Sequence, residues 1–395
     1  DLRTNVEVGN EMELGQADDG NPNLWKAVEA AAAAAKKLDP SRPTMTVLAE
    51  LGTNKISAIN RLCPSIDIIG LNSYGGAASI VKRYRDQGGK KPIILTEFGP
   101  NGQWEVAKTD WGAPMELTST QKADAYRNAY QKFVTDNPDL ALGSYAFLWG
   151  NKQEASATWY GMLLPDGTPV AAAEAMGEIW SGRKPANRVP VIEKFEVVGS
   201  PKVSPGGEVR IALTAKDPDG DPLKAEWKLL TESTEAGVGG DAEKVQEQVN
   251  GAVVQSSLTG ATLKMPTYER GYRIFVYLRD GKSGAAVANI PLLVEDPKRV
   301  TKGAPKQAPV WVYRDTETVN NWIPSGHMGA TENIYNQMDA RAAGREGTVI
   351  RAGVKPNSQW AGVVWQSPEG DWGDKDGGFN IIGAKKLSFW AKGLA

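Results

Sequence analysis

The chain has 395 residues, a length that predicts two or three domains rather than one. Hydrophobic residues make up 41% of it and charged residues 23%, which is typical of a globular protein and excludes a disordered one. The formal net charge of −2 argues against a general nucleic-acid binder and against a protein that binds anionic membranes, and no apolar run is long enough to span a bilayer.

Strand and helix signals alternate over roughly the first 180 residues. The strand signals are short and nearly continuously apolar, whereas the helix signals are longer amphipathic or alanine-rich segments. The predicted strands are 5–11, 43–51, 65–75, 91–99 and 140–150, and the predicted helices are 24–38, 55–62, 77–87, 117–134 and 170–180. Five strand–helix units of this kind predict a parallel sheet that is covered by helices.

The composition changes after the last of these helices. The segment "SGRKPANRVP" (181–190) predicts a linker, and short strands of alternating polarity follow from 191 to 295 with the turn signals "SPGG" and "DPDGDP" between them. This pattern is typical of an antiparallel β-sandwich. A second, basic linker, "PKRVTKGAPKQAP" (297–309), precedes a Trp-rich region that is again of β type. The predicted domains are therefore 1–182, 190–297 and 309–395.

The chain contains one cysteine, Cys63, and one histidine, His327. A single cysteine excludes an internal disulfide and a thiolate metal cluster, and Cys63 is predicted to pack as a small core residue rather than act as a nucleophile. A single histidine in a late β-type region argues against a histidine-rich zinc site and against a Ser-His-Asp or Cys-His mechanism. Any catalysis is therefore expected to use carboxylates.

Two glutamates stand at the ends of predicted strands. Glu97 lies in "TEFGPNG", directly after an apolar run, and Glu11 lies in "VEVGNEMEL". An ionised glutamate is costly to bury unless it is paired, hydrogen-bonded or used in chemistry. With "GNE" and "TEFG" at two strand ends, the chain resembles clan A of the glycoside hydrolases, in particular its family 2 and family 5 members, whose acid/base and nucleophile motifs look like these.

The resemblance covers residue 1 to about residue 182 and implies part of a (β/α)8 barrel. Clan A enzymes carry their two glutamates at the ends of strands four and seven, and the offset of three strands between Glu11 and Glu97 matches that spacing. The five predicted units would then be strands four to eight, the C-terminal portion of the barrel, with three units missing upstream. Because the chain opens at Asp1 almost inside a strand and breaks off at Ala395 directly after one, we expect both ends to be cut.

The resemblance also implies roles for individual residues. Glu11 would be the acid/base and Glu97 the nucleophile of a retaining mechanism, in which the two carboxyls lie about 5–5.5 Å apart. Asn10 would hydrogen-bond the sugar 2-hydroxyl, and Tyr74 would hydrogen-bond Glu97 and lower its pKa. Trp149 would stack on an apolar sugar face. Further candidate substrate-binding residues are Asn72, Trp104 and Trp111, and the mechanism implies no metal and no other cofactor.

Several of these residues have a structural alternative. Tyr74 and Trp149 could be core residues, Asn72 could be a strand-end hydrogen-bonder only, and the two loop tryptophans could be ordinary surface residues. The neighbouring carboxylates Glu7, Glu13 and Glu50 match no motif and are predicted to form salt bridges or to lie on the rim.

The two β-type regions also resemble known modules. Residues 190–297 are similar to polycystic-kidney-disease-type (PKD-type) and immunoglobulin-like sandwiches, notably in "DPDGDPLKAEW" and "GYRIFVYLRDG". In that region Asp217, Asp219 and Asp221 could hold Ca²⁺, but a tight turn is favoured because Ca²⁺ prefers six or more oxygen ligands. Residues 309–395 resemble the opening half of a jelly-roll carbohydrate-associated module, whose tryptophans could either bind sugar or pack.

The sequence as a whole predicts an α/β region followed by all-β regions: five units of a TIM barrel, an immunoglobulin-like sandwich and a partial jelly roll. The predicted function is a retaining glycoside hydrolase that cleaves a β-linked oligo- or polysaccharide, with no nucleic-acid or membrane partner. Because three barrel units would be missing, the fragment itself is expected to hydrolyse little or nothing. The module types imply a secreted or cell-surface protein. A transglycosylase acting on the same glycans, or a non-catalytic carbohydrate-binding or adhesion protein on a barrel scaffold, are the alternatives.

Overall fold

The computed structural model describes most of the chain, with gaps. The described residues are 5–16, 18–233, 243–267, 269–295, 311–316, 322–355, 360–367, 369–372, 381 and 385–393. The chain forms two compact units, Asp1–Asp296 and Pro297–Ala395. Among the described residues, no helix is both long enough and apolar enough to cross a membrane.

The first unit begins with five strands that alternate with five helices. The strands are β1 (Val6–Asn10), β2 (Thr44–Ala49), β3 (Ile68–Asn72), β4 (Ile93–Phe98) and β5 (Ala141–Ala146). The helices are α1 (Pro22–Leu38), α2 (Lys55–Leu62), α3 (Ala77–Asp86), α4 (Ser119–Tyr130), which continues into a π-helical turn Gln131–Thr135, and α5 (Ala171–Ser181). The strands pair in chain order and every pair is parallel, so β1 and β5 form the two edges. The α/β character of this region is as predicted, and its assignment to strands four to eight of a barrel stays a prediction.

Local signals in the sequence explain where these helices begin and end. Helix α1 starts after Asn21, whose side chain accepts a hydrogen bond from the backbone N–H of Asn23 at 3.0 Å, with a proline in the first turn. Helix α4 starts with a capping box, in which Thr118 and Gln121 satisfy each other's backbone N–H groups. Helix α5 ends at Gly182, whose φ of 66° suits glycine.

The central strands of this sheet are its most buried part. The helices and strands share a core that includes Trp25, Tyr84, Phe98 and Phe133, and a smaller cluster packs across β2, β3 and β4. Burial of these central strands explains why they are predominantly apolar, whereas the edge strands β1 and β5 are only partly buried. Cys63 is fully buried in the larger core, and burial raises the pKa of its thiol to about 11. Its predicted packing role is thereby confirmed.

The rest of the first unit is a β-sandwich of two four-stranded sheets. Its strands are β6 (Val191–Val198), β7 (Lys202–Val203), β8 (Glu208–Lys216), β9 (Lys224–Thr231), β10 (Val253–Ser256), β11 (Gly260–Lys264), β12 (Gly271–Arg279) and β13 (Ala285–Val294). One sheet has the order β10-β11-β8-β6 and the other β7-β13-β12-β9. The apolar faces of the two sheets share a core that contains Trp227, Leu263 and Ile274. The alternating polarity of the predicted strands correctly indicated a β-sandwich in this region.

The acidic turn between β8 and β9 is held together by its own hydrogen bonds. The side chain of Asp217 accepts from the backbone N–H groups of Asp219 at 2.9 Å and Asp221 at 3.1 Å. Oxygens of the three carboxylates lie within 4.8 Å of one another, and the Lys282 amine is 2.8 Å from Asp221. These contacts support the tight-turn interpretation, and the Lys282 amine balances part of the negative charge.

The second unit contains two antiparallel strand pairs. Strand β14 (Ile323–Gly329) pairs with β17 (Ala361–Gln366), and β15 (Ile334–Ala340) pairs with β16 (Val349–Val354). His327 lies on β14, and its ring nitrogen is 3.1 Å from the side-chain amide of Asn336. The large exposed tryptophans of this unit are Trp311, Trp360, Trp365, Trp372 and Trp390. The jelly-roll assignment of this unit stays a prediction.

Candidate active site

The two predicted catalytic glutamates lie at the same end of the parallel sheet. Glu97 is the fifth residue of β4, and Glu11 directly follows β1. Asn72, the last residue of β3, is paired with Glu97 in the strand register. Because the carboxyl ends of parallel strands meet at one edge of the sheet, residues distant in sequence become neighbours there.

Asn72 joins the strands that carry the two glutamates. Its amide nitrogen donates to Oε1 of Glu11 at 2.8 Å and to Oδ1 of Asn10 at 3.1 Å. Its amide oxygen accepts from the hydroxyl of Thr96 at 2.7 Å. Asn72 is only 4% exposed. These bonds support the strand-end alternative for Asn72, since its amide is committed to protein groups rather than open to a substrate.

The backbone at Glu11 adopts a conformation that is uncommon for a residue with a side chain. Its φ is 51°, in the left-handed region. Two hydrogen bonds hold it there: the Glu11 N–H donates to the carbonyl of Val47 at 2.9 Å, and the Glu11 carbonyl accepts from the N–H of Leu14 at 2.9 Å. Such backbone outliers persist where the surroundings over-determine them, and they cluster at functional sites.

Tyr74 lies beside Glu97, as predicted from the motif. Its hydroxyl donates to Oε2 of Glu97 at 2.8 Å. The Tyr74 ring is enclosed by three other aromatic rings, those of Trp104, Phe147 and Tyr160, at centroid distances of 5.8, 6.0 and 5.3 Å. Burial and the negative charge of Glu97 raise the pKa of Tyr74, so the hydroxyl stays protonated and remains a donor.

The pKa of Glu97 is raised, and burial is the main cause. The hydrogen bond from Tyr74 lowers it, as expected, but the charges of Glu11 and Glu154 raise it further and Lys152 lowers it only in part. The Tyr74 contact thus acts in the expected direction, but the net pKa of Glu97 is raised. Desolvation and like charge outweigh one hydrogen bond.

Two charged residues of this site were missed in the sequence. Lys152 and Glu154 follow β5, and the Lys152 amine is 2.6 Å from Oε2 of Glu154. The same amine lies 5.7 Å from the ring centroid of Phe147, which contacts Tyr74. No motif marks this pair, and the available signal was its position in "GNKQEAS", a loop at the same end of the sheet as Glu97.

The three tryptophans predicted as sugar platforms lie in different surroundings. Trp104 is 59% exposed and meets Tyr74 edge to face, and Trp149, beyond β5, is 63% exposed. Trp111 instead lies under the amine of Lys202, a residue of sandwich strand β7, at 5.8 Å. Trp104 and Trp149 thus present free apolar surface, whereas Trp111 lies at the contact with the sandwich.

The other acidic residues near these strands form ion pairs. Glu13 is 2.7 Å from the Lys55 amine, and Glu50 is 2.7 Å from the Arg83 guanidinium. Although burial raises the pKa of Glu50, hydrogen bonds from Arg83 and Ser73 hold it below its ordinary value. The salt-bridge prediction for Glu13 and Glu50 is confirmed.

Comparison with known proteins finds similarity at the level of structure alone. No family model and no curated protein matches the chain. An exo-β-agarase is similar over 42% of this chain and 23% of its own, with 17% identity and a TM-score of 0.30. An α-L-arabinofuranosidase from Thermotoga maritima is similar over 72% of this chain and 66% of its own, with 12% identity and a TM-score of 0.33. The PKD1 domain of a Vibrio anguillarum protein is similar over 28% of this chain and 99% of that domain, with 16% identity and a TM-score of 0.17.

The structural neighbours are thus glycoside hydrolases and PKD domains. The chain spans about a quarter of the length of the exo-β-agarase, 23%, and 26% of the length of a second agarase.

Proposed function

We propose that the first unit carries the two catalytic glutamates of a retaining glycoside hydrolase that acts on a β-linked oligo- or polysaccharide. The observation that carries this proposal is the pair of carboxylates at the same end of the sheet: Asn72, which donates to Glu11, is paired with Glu97 in the strand register. The charge of Glu11 also raises the pKa of Glu97. A retaining mechanism needs two carboxyls about 5–5.5 Å apart, one to attack and one to transfer a proton.

The hydrogen bonds assign a task to each carboxylate oxygen. Tyr74 donates to Oε2 of Glu97, so Oε1 is the oxygen that attacks the anomeric carbon. Asn72 donates to Oε1 of Glu11, so the acid proton resides on Oε2. In the first step Glu97 forms a bond to the anomeric carbon while Glu11 gives its proton to the departing glycosidic oxygen. In the second step Glu11 takes a proton from water, which attacks the glycosyl ester and releases Glu97.

The hydrogen bond from Tyr74 suits Glu97 to the role of nucleophile. Burial and the charges of Glu11 and Glu154 raise the pKa of Glu97, whereas the Tyr74 hydrogen bond favours its ionised form. In the proposed mechanism the proton is carried by Glu11, and a protonated Glu11 no longer contributes the charge that raises the pKa of Glu97.

Three residues are proposed to contact the substrate: Asn10, Trp104 and Trp149. Asn10 accepts from Asn72 through its Oδ1, which leaves its own amide N–H groups to bind the sugar 2-hydroxyl. Trp104 and Trp149 offer exposed rings on which sugar faces can stack. The mechanism uses no cofactor, and a β-linked glycan substrate with sandwich modules fits a secreted or cell-surface protein.

A mechanism-based fluorosugar inactivator with a fluoride leaving group tests the assignment. Such a reagent needs a nucleophile but little acid assistance, so we expect a glycosyl ester on Glu97, located by peptide mass mapping. Glu11→Gln should still be labelled, whereas Glu97→Gln should not. A panel of gluco-, galacto- and manno-configured reagents identifies the sugar. Label on a different residue, or label on Glu97→Gln, would contradict the proposal.

A further inference from the structure

Four charged side chains are buried where the sandwich packs against the parallel-sheet region. Glu116 precedes α4, Lys122 lies on α4, Glu232 follows β9 and Arg273 lies on β12. Their side chains are 1%, 6%, 10% and 3% exposed. Two carboxylates and two cations make this buried charge cluster electrically balanced, which is the condition under which charged groups tolerate burial.

Short contacts connect the cluster across the two regions. Within the first region the Lys122 amine is 2.5 Å from Oε1 of Glu116. Within the sandwich Arg273 donates to both oxygens of Glu232, at 2.9–3.1 Å. Arg273 also reaches across, donating to the backbone carbonyl of Pro114 at 2.8 Å. The sandwich is therefore attached by a specific, desolvated network rather than by surface contact alone.

The cluster also holds the segment that follows β5, Lys152–Thr158, which we name the β5 loop. Glu116 accepts from the hydroxyls of Ser156 at 2.5 Å and Thr158 at 2.8 Å. Lys122 donates to the backbone carbonyl of Thr158 at 2.6 Å. From the sandwich, the Asn289 amide donates to the Thr158 hydroxyl at 3.2 Å and accepts from Arg273 at 2.6 Å.

A second sandwich residue holds the middle of the β5 loop. Oε2 of Glu243 accepts from the backbone N–H of Ala155 at 2.7 Å. Ala155 has a φ of 58°, a left-handed conformation that is uncommon for alanine. The residue directly before it is Glu154. The sandwich therefore bonds to the peptide group that joins Glu154 to the strained residue and fixes the direction of the chain there.

The near end of the β5 loop lies at the proposed nucleophile. Among the described residues, the groups with the largest effect on the pKa of Glu97 are Glu11 after β1, Tyr74 after β3, and Lys152 and Glu154 in the loop. Lys152 also lies over Phe147, which packs on Tyr74. The chain of contacts from the sandwich to Glu97 is therefore continuous.

We propose that the sandwich is a working part of the active site: its residues Glu243, Asn289 and Arg273 are positioning residues that fix the β5 loop and thereby place the Lys152–Glu154 pair beside Glu97. The importance given to Glu97 rests on the proposed function. The contacts that hold the β5 loop can nevertheless be tested without measuring catalysis. It follows that the sandwich sets the local charge around the nucleophile. A spacer module would leave that charge unchanged.

The test is a mutant cycle on the pKa of Glu97, measured in the full chain by carboxyl ¹³C NMR with the Glu97 signal assigned through its loss in Glu97→Gln. In the parent, Glu154→Gln removes a negative charge and leaves Lys152, so it should lower the pKa of Glu97. In a Glu243→Ala background, the decrease in the pKa of Glu97 that Glu154→Gln causes should be less than half of that in the parent. In a Glu243→Gln background, where the new amide oxygen can still accept from Ala155, the full decrease should persist.

A second background variant is included in case Glu243→Ala does not fold. Asn289→Ala removes the contact to Thr158 and should also reduce the decrease in the pKa of Glu97 that Glu154→Gln causes. If Glu154→Gln lowers the pKa equally in every background, or fails to lower it in the parent, the proposal is overturned. Because the readout requires no catalysis, a failure of fluorosugar labelling at Glu97 would be recognised separately.

Discussion

The strand-end site and the buried charge cluster contain the same type of group in opposite settings. Glu116 is fully buried, yet the charges of Lys122 and Arg273 overcome the effect of burial and hold its pKa below the ordinary value. Glu97 is less buried, yet its pKa is raised because burial acts together with like charges. Glu232 of the same cluster has a raised pKa because burial outweighs the lowering effect of Arg273, so the pKa of each carboxyl reflects the balance between burial and nearby charge.

The two places also differ in how the charges of their carboxylates are compensated. The cluster balances two acids with two bases, and its members make hydrogen bonds on both sides of the contact between the regions. At the strand ends the two acids have a neutral asparagine and a neutral tyrosine as hydrogen-bond donors. Carboxylates without a balancing cation as hydrogen-bond partner lower stability, and such arrangements are found at functional sites.

The largest expected effect comes from unbalancing the cluster. Lys122→Met leaves Glu116 buried without its closest cation and should lower the free energy of unfolding by about 3–5 kcal/mol. Urea denaturation measures it. The matched control is Lys82→Met, which breaks the exposed pair of Lys82 with Asp86 and should cost less than about 1 kcal/mol. Similar small losses in both variants would show that the cluster does not stabilise the contact.

A smaller effect is expected from Tyr74→Phe. The variant removes a hydrogen bond to a charged group, worth about 1.5–3 kcal/mol, and should slow attack by Glu97 with the main loss in kcat rather than KM. The pKa of Glu97 should rise further, since the one hydrogen bond that lowers it is gone. Steady-state kinetics and a ¹³C titration measure the two effects. An unchanged kcat would assign Tyr74 to packing.

The smallest effect concerns stability at the strand ends. A carboxyl whose pKa is raised on folding contributes stability below the pKa of the unfolded chain and loses it as pH rises through the folded value. Glu97→Gln cannot ionise, so it should melt higher than the parent at neutral pH. The difference should disappear below the ordinary pKa of glutamate. Calorimetry from pH 3 to 8 checks this, and a variant that melts lower than the parent at neutral pH would contradict it.

Much of the fold could be predicted from local patterns. The continuous apolar strands and capped helices marked the five units, and polarity alternation marked β6, β8, β9 and β12. The position of Glu11 and Glu97 at one end of the sheet and the contact of Tyr74 with Glu97 were also predictable, because each residue occupies a short motif at a strand end.

The remaining site residues depend on packing between distant parts of the chain. Lys152 and Glu154 matter only because their loop folds back on Phe147 and Glu97, and nothing in their spacing marks it. Trp111 looks like a platform in a loop until the sandwich places Lys202 over its ring. Likewise, Arg273 and Glu116 are separated by a whole domain in sequence and meet only in the folded unit.

Azide rescue tests the roles of the two glutamates most directly. With an activated aryl β-glycoside of the labelled sugar type, Glu11→Ala should still form the ester on Glu97, which azide attacks from the face that Glu11 has vacated. The product should be the β-glycosyl azide. Glu97→Ala should give the α-glycosyl azide by direct displacement. The one-bond C1–H1 coupling in the NMR spectrum distinguishes the two products, and the reverse assignment would contradict the account.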